Sequence, residues 1–533
     1  MMKYILKGRE IQFGRIIAHI KEFYQRDSRY AIILSLIFVI PSIILALRHE
    51  MWRDEMNVWL IARDLSSPFE IIKHLRYDGH PSLWHLCVFA LRHIFPYPIA
   101  MQMLHLVIAT MTVYMFVRFS PFTKLQKALF IFGYFSFYEY NIIVRNYALG
   151  VFLIFLVCTL FPKRFALFPL VGFILFLLSH TSIHALIIVI SIGFVLSMEY
   201  ITSAERRKDT NKPKIGIGFF LIALGIITSI IQLKPPPDYG FAVEWITKFD
   251  PKHLQNVLSL VSRTFIPIPQ FTFSFWGTNI LDKFPSAITV HLVLSCLILL
   301  WGMLLLVKKP LALLMYISAT IGLLTFFYIK YSGSMRHWGF LFVVFLASIW
   351  MGKYLHDKEH TQGPFGVISS ALQRHQNKVL IVILTIHLIG GVVAGQFDYR
   401  YIFSQAKPTA EFIKKEKLDN LLIAGDEYTG IAPIGGYLGQ KIYYPRVHRV
   451  GSFWILKEGW LPNVSVDEIL DDVEKFKKKD GRDVLLILNY PLDNQKLEKY
   501  SLIKVSEFLP AIVGYEQYYL YLDKKVYIMK KIG

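Results

Sequence analysis

Residues 49–80, HEMWRDEMNVWLIARDLSSPFEIIKHLRYDGH, leave the apolar run 31–48 and carry the adjacent acids Asp54 and Glu55. Two neighbouring carboxylates just past a greasy segment call for a physical reason. If 31–48 crosses a bilayer as helix, the acids stand at its surface. A carboxylate at the edge of a low-dielectric region has its pKa pushed upward, towards values useful for proton abstraction. Asp54 and Glu55 are therefore the candidate catalytic groups, as a general base, and also a candidate pair for a divalent metal, Mg or Mn. The plainer reading, an interfacial loop that simply holds acids and aromatics such as Trp52 and Trp59 with Arg53 at headgroup level, is the alternative.

The rest of the chain supports a membrane reading. Of 533 residues, 54% are hydrophobic and 18% charged, where a soluble chain carries roughly a quarter charged. The mean hydropathy is +0.44. The expected fold class is a polytopic α-helical membrane protein. Its spans fall near 31–48, 98–117, 126–142, 147–161, 165–179, 183–198, 215–232, 288–307, 310–329, 339–355 and 378–395, about eleven transmembrane helices with interfacial helices beside them. The net charge of +20 belongs to loops at lipid headgroups. No basic stripe with interleaved aromatics stands outside the spans, so nucleic acid is not an expected partner, while membrane lipids are. Cys87, Cys158 and Cys296 lie inside apolar runs, which excludes a disulfide framework or a CxxC metal site.

Charge sets the topology. The basic lead-in Lys3, Lys7, Arg9, Arg15, Lys21, Arg26 and Arg29 is read as cytoplasmic, so residues 31–48, retained for want of a cleavage motif, run outward. The short apolar stretch 82–95 is read as a helix at the outer interface. With that choice Arg118, Lys124, Lys127, Lys163, Arg164, Arg206, Arg207, Lys208, Lys308 and Lys309 share the cytoplasmic side. The domains expected are 1–30, a basic cytoplasmic N-terminus; 31–395, the transmembrane catalytic region with external loops 49–97 and 233–287; and 396–533, an extracytoplasmic domain. In the last, β-type runs at 421–425, 441–445, 483–491, 501–508 and 518–524 alternate with helical patterns near 407–417 and 465–479, the mark of a small α/β domain.

Further charged groups fall at external helix ends. Arg145, in YEYNIIVRNYALG with Tyr147 beside it, is an ionisable group at membrane depth and a functional suspect by default. His180 and His184 share one face if the helix runs through them; lining of a polar cavity and hydrogen bonding to substrate is the reading for His180, with a two-histidine metal site as the alternative. Arg336 and His337, in KYSGSMRHWGF, are adjacent candidate cations at a helix start, suited to a phosphate or diphosphate.

WRDEMNVW, DGHPSLW, RNYAL and RHWG together resemble the GT-C superfamily of membrane glycosyltransferases. The branch most similar contains protein O-mannosyltransferases and lipid A aminoarabinose transferases. HPSL at 80–83 stands where those have an HPPL-type sequence, with Ser82 in place of the second proline. The resemblance covers about 30–350, and the α/β tail looks like the extracytoplasmic tail of many bacterial members. It implies an inverting glycosyltransferase, hexosyl or pentosyl, that takes sugar from a polyprenyl-phosphate donor. The acceptor would be a glycan, lipid or protein outside a bacterial inner membrane, with the site and the tail facing the periplasm or exterior. In that frame Asp54 is the catalytic base with Glu55 beside it, His80 shapes the site, and Arg336 with His337 holds the lipid phosphate. The alternatives are a transporter or flippase of a lipid-linked or anionic substrate, and a non-catalytic member whose tail binds a partner.

Overall fold

The computed structural model describes residues 27–209, 211–241, 245–357, 364–459 and 463–532. The basic lead-in at 1–26 lies outside them. The first sixteen helices are α1 (Asp27–Arg48), α2 (Arg53–Asp64), α3 (Pro68–His74), α4 (Leu83–Arg92), α5 (Ile99–Phe119), α6 (Lys124–Ile131), α7 (Tyr147–Leu160), α8 (Phe168–Ser179), α9 (Ile183–Thr202), α10 (Ala204–Asp209), α11 (Lys212–Leu233), α12 (Pro251–Phe265), α13 (Ala287–Leu306), α14 (Pro310–Ile329), α15 (Met335–Gly352) and α16 (Pro364–Arg400). Among the described residues eight of these are long and apolar enough to cross a membrane: α1, α5, α9, α11 and α13 to α16. The chain is an integral membrane protein. Helix α1 shows the reason in one element: Ile33, Leu36 and Ile40 are exposed on one side, whereas Leu34, Phe38 and Leu45 are buried on the other.

Polar contacts sort the helix ends into two groups. At one end Tyr30 donates to the Lys124 carbonyl (2.8 Å), the Gln126 amide to Asn377 (3.1 Å) and Lys308 to Ser370 (2.7 Å). The buried pair Arg164–Glu199 closes the same end, with Arg164 also reaching the Tyr354 carbonyl. At the other end stand Asp54 at the start of α2, Arg336 at the start of α15, and the loops that carry His80 and Arg145. The basic loops and the candidate chemistry thus occupy opposite ends of the bundle.

Two segments depart from the sequence expectation. The run 126–142 is not one helix. It breaks at Gly133 into α6 and a π-helical turn, Tyr134–Glu139, that packs against α16. The cause is close backbone approach: a Cβ on Gly391 would sit 2.3 Å from the Phe132 carbonyl oxygen, and one on Gly390 would sit 2.3 Å from that of Pro267. A π turn needs such a supporting surface, because its widened ladder leaves backbone groups poorly matched. With α7 and α8, this broken segment makes the shorter passes between the same two ends.

The second departure is loop 233–287, which does not stay outside. Asp250 caps α12, accepting from the Lys252 and His253 amides (2.9 and 3.3 Å). The helix then buries Val257, Leu260, Val261 and Phe265 against α13 and α15. Phe265 meets Phe342 and Phe345 at 5.4 Å, well inside α15. The chain returns through Pro267 and brings Trp276 back to the site end. Non-helical backbone at such depth is tolerated because protein, and not lipid, surrounds it.

The C-terminal region comprises α17 (Ala406–Lys415), β1 (Leu422–Gly425), α18 (Tyr428–Leu438), β2 (Ile442–Tyr444), β3 (Arg449–Gly451), α19 (Val466–Asp480), β4 (Val484–Leu488), α20 (Asn494–Lys499), β5 (Leu502–Phe508), β6 (Tyr518–Asp523) and α21 (Lys524–Ile532). The sheet order is β3-β2-β1-β4-β6-β5, with β2, β1 and β4 parallel and the outer strands antiparallel. Strands β1 and β4 are buried throughout, as expected of parallel strands covered on both faces. Helix α18 docks this domain on α2. Gly436 makes the contact, since a Cβ there would stand 2.4 Å from the Met56 sulfur.

Gly391→Ala is expected to cost about 1–3 kcal/mol or more, because the new methyl meets backbone that cannot rotate away. Gly216→Ala, whose Cβ would meet nothing within 4 Å, should be neutral or stabilising. Thermal unfolding of both variants in detergent checks the contrast; equal melting temperatures would contradict the packing argument.

Candidate active site

The site is built on the first turn of α2. Trp52 precedes the helix with extended backbone, and its amide donates to Glu55 Oε2 (3.1 Å), so the carboxylate reaches back to cap the helix start. The same oxygen accepts from His49 Nε2 (3.0 Å), and Glu55 Oε1 accepts from the Val144 amide. The other His49 nitrogen donates to Asp398 of α16 at 3.0 Å. Burial works against a charge on His49, but the Asp398 and Glu55 carboxylates outweigh it and hold its pKa well above the ordinary imidazole range. Glu55 is fully buried, with both oxygens committed. Its place is behind the site, as the group that fixes α2 against the bundle.

Asp54 lies on the open side of the same turn, with 23% of its side chain exposed. Its Oδ2 accepts from Arg336 Nη2 at 3.1 Å, joining residues 282 apart in sequence. Arg145 donates through Nη1 to the Asp54 carbonyl and through Nη2 to His80 Nε2 (3.1 Å). Arg53 Nε also stands 3.7 Å from Asp54 Oδ1, so three guanidinium groups surround one aspartate: Arg336 and Arg53 at its carboxylate and Arg145 at its carbonyl. Arg336 and Arg145 each keep a buried Nε–H without a partner, an unusual state for a group that costs free energy to bury unpaired. The Arg336 guanidinium also lies against the indoles of Trp52 (5.3 Å) and Trp276 (5.6 Å), which meet each other edge to face at 4.9 Å. Glu139 of the π turn accepts from the Trp276 indole (3.2 Å), and the neighbouring Tyr140 hydroxyl donates to the Arg336 carbonyl (2.9 Å). Loop 233–287 and the π turn together hold this arginine in place.

The histidines divide differently from the sequence expectation. His80 accepts from Arg145 at Nε2, so its proton is on Nδ1, which is buried without a partner. Burial, reinforced by Arg145, keeps His80 neutral, its pKa well below 6.5. His337 Nδ1 accepts from the Ser334 amide (2.8 Å), and Nε2 meets the Tyr147 hydroxyl (2.7 Å). An imidazole that accepts an N–H at Nδ1 is not protonated there. His337 is thus a helix cap beside Tyr147, and the second cation of the site is Arg145. His180 is not brought to the cluster. Helix α9 begins at Ile183, and His180 turns back to the Phe176 carbonyl (2.8 Å) and Thr228 (3.0 Å). It is His184 that approaches, its ring stacked on His337 at 5.0 Å.

Asp78 belongs to the cluster too, although nothing in DGH separates it from other loop acids. Burial pushes its carboxyl up to about 6; the charge of Arg145 opposes the rise and that of Asp54 adds to it. The α/β domain closes the outer wall around Arg53. The Arg53 guanidinium donates to Thr429 (3.2 Å) and lies 4.1 Å from the Tyr515 ring centroid, and its amide donates to Glu516 (2.8 Å).

The donor set does not fit a resident divalent ion. Glu55 has no oxygen to offer, and Asp54 already faces two arginines. No group of three or more His, Cys, Asp or Glu suited to a metal occurs among the described residues.

His49→Ala would leave the Glu55 and Asp398 carboxylates buried without their shared cation. Loss of about 3–5 kcal/mol is expected, read as a large drop in melting temperature or loss of monodisperse protein. Glu516 supplies a pH test. Burial pushes its carboxyl up to about 8. Its contribution to stability is therefore complete below the ordinary carboxylate range and is lost as pH rises through about 8. Glu516→Gln should narrow the fall in melting temperature between pH 6 and pH 9; an unchanged profile would count against the assignment.

No family model matches the sequence, and no curated protein is similar to it. Solved structures do match. One is ArnT from Cupriavidus metallidurans in the apo state, with TM-score 0.51 and 10% identity over 93% of this chain and 98% of that one. ArnT from the same organism bound to undecaprenyl phosphate aligns with TM-score 0.47 and 10% identity, over 92% and 97% of the two chains. The likeness to the apo structure extends through the membrane bundle and the C-terminal sheet, and it gives this chain the GT-C fold of ArnT.

Proposed function

We propose that the protein is an inverting glycosyltransferase that moves a sugar from a polyprenyl-phosphate donor to an acceptor on the extracytoplasmic side of a bacterial inner membrane. The observation that carries this reading is the meeting of Asp54 with Arg336 and Arg145 at the end of the bundle away from the basic loops. A lipid-linked sugar keeps its tail in the bilayer and presents its phosphate at that depth. The GT-C fold and the motifs around Asp54, His80, Arg145 and Arg336 point the same way.

In the proposed reaction the phosphate is held by Arg336 and Arg145 through their remaining N–H donors. The Arg fork suits a phosphate better than a single carboxylate oxygen. Its arrival draws Arg336 from Asp54 and leaves that carboxylate with only the longer contact to Arg53 (3.7 Å). Asp54 then takes the proton of an acceptor hydroxyl, whose oxygen attacks the anomeric carbon from the face opposite the phosphate. The bond from that carbon to the phosphate oxygen breaks, the electron pair leaves with the phosphate, and the anomeric configuration inverts. The arginines stabilise the departing charge. His80, neutral and bonded to Arg145, orients that guanidinium, and Tyr147 with His337 supports the Arg336 helix start. Glu55 positions Asp54 and transfers no proton.

Purified protein in nanodiscs, given a polyprenyl-phosphate sugar and an acceptor extract, tests the reading. Asp54→Asn should lower turnover about 10²–10⁴-fold, the range of general base catalysis, with melting temperature preserved. Arg336→Ala should chiefly weaken donor binding. Near-normal turnover by Asp54→Asn rejects the base, and substrate flux without product in liposomes would favour a transporter.

A further inference from the structure

Apart from the arginine cluster, a cavity of about 210 Å³ opens where the C-terminal end of α2 meets the α/β domain. It is far larger than the ~30 Å³ share of one water. Asp64 and Leu65 form one wall, and the edge of β2 and β3 with the start of α18 forms the other. Asp64 is ten positions along α2 from Asp54, so the cavity lies roughly 15 Å along the helix axis from the proposed base.

Its lining has the chemistry of a sugar site. Phe453 offers aromatic surface, and the buried Tyr428 and Tyr444 rings back the cavity, edge to face at 4.9 Å. Tyr444 is 1% exposed, yet its hydroxyl has no hydrogen-bond partner. A buried hydroxyl left unmatched loses its hydration without return, unless a ligand in the cavity completes it. Charge adds selectivity. Lys441 and Arg449 line the cavity with one carboxylate, Asp64. That carboxylate is already bidentate with Arg63 (2.6 and 3.0 Å) and bonded to Ser452, and these contacts hold it ionised despite the desolvation that burial imposes. The lining therefore presents net positive charge beside aromatic rings.

We infer that this cavity binds a sugar unit bearing an acidic group, a carboxylate or phosphate, as an anchoring unit of the acceptor; the acceptor role rests on the proposed transfer reaction. The spacing along α2 would let one unit sit in the cavity while a hydroxyl some 15 Å away on the same molecule reaches Asp54.

The test is binding to the full-length protein in nanodiscs, without donor, read by saturation-transfer NMR and calorimetric titration. The probes are D-glucuronate and glucose 6-phosphate, with glucose and inorganic phosphate as controls. At least one acidic sugar should bind, and tenfold or more tightly than both controls; which one binds separates the carboxylate from the phosphate source. Tyr444→Phe should weaken it about threefold or more with no fall in melting temperature, because the hydroxyl makes no bond in the protein alone. Lys441→Ala with Arg449→Ala should remove the preference over glucose. Failure of both acidic sugars to bind folded protein, or equal binding by wild type and Tyr444→Phe, overturns the inference. Asp54→Asn should bind the probe as wild type does. Normal transfer by that variant would sink the reaction and leave the cavity standing, whereas Asp54-dependent transfer with no probe binding would sink the cavity alone.

Discussion

The buried Glu55 carboxylate is the constraint on which the site end depends. It ties together three parts of the chain: the start of α2 through the Trp52 amide, the turn before α7 through the Val144 amide, and α16 through His49 and Asp398. A charge buried in a membrane protein is costly unless its lone pairs are met, and here both oxygens are met. Successive helical residues point about 100° apart, so directing Glu55 into this lock turns Asp54 outward. Of two adjacent acids, one is spent on structure and the other faces the arginines.

The cations facing Asp54 are held with similar care, and from distant parts of the sequence. Arg336 stands on the first turn of α15, against an indole from the α2 cap and one from the returning loop 266–279. That loop reaches Arg336 because α12 dives into the bundle and turns back. The π turn adds Glu139 against Trp276 and Tyr140 against the Arg336 backbone. A guanidinium packed against two rings loses little rotamer freedom when an anion arrives, so its position is set before the ligand is there.

How much of this was legible follows from the kind of signal each feature leaves. Spans and basic ends are written in hydropathy and charge over many residues, and both could be read from the sequence. The strands of the α/β domain were visible as short apolar runs; the extra strand β3, RVG, is too short and too exposed to carry a pattern. Helix α12 was legible in principle, since Leu254, Val257, Val261 and Phe265 follow the helical repeat, but its burial inside the bundle is a tertiary fact. The π turn lies in an aromatic run, YFSFYEY, that has no periodic signature. Nor does local sequence separate Asp54 from Glu55, since both are acids in one helical turn and only the partner of each, His49 or Arg336, divides their roles. His180 and His184 have the spacing of a shared face, yet the break at residues 180–182 sends them apart.

The direct pairing of Asp54 with Arg336 bears on the order of events in the proposed reaction. A carboxylate bonded to a guanidinium is a poor base, because protonating it discards a charge-assisted bond worth about 1.5–3 kcal/mol. Phosphate competes for the same donors with more oxygens and a geometry the fork matches. In the proposed reaction Asp54 thus loses its pairing with Arg336 when the donor's phosphate is seated, and keeps it while the site holds none. In that reaction this coupling means that proton removal from a hydroxyl begins once there is an anomeric carbon to attack. The same arrangement gives Arg145 its part. With one nitrogen on the Asp54 carbonyl and another on His80, it stays in place when Arg336 changes partner, so the leaving charge meets a cation already fixed to the backbone of the base.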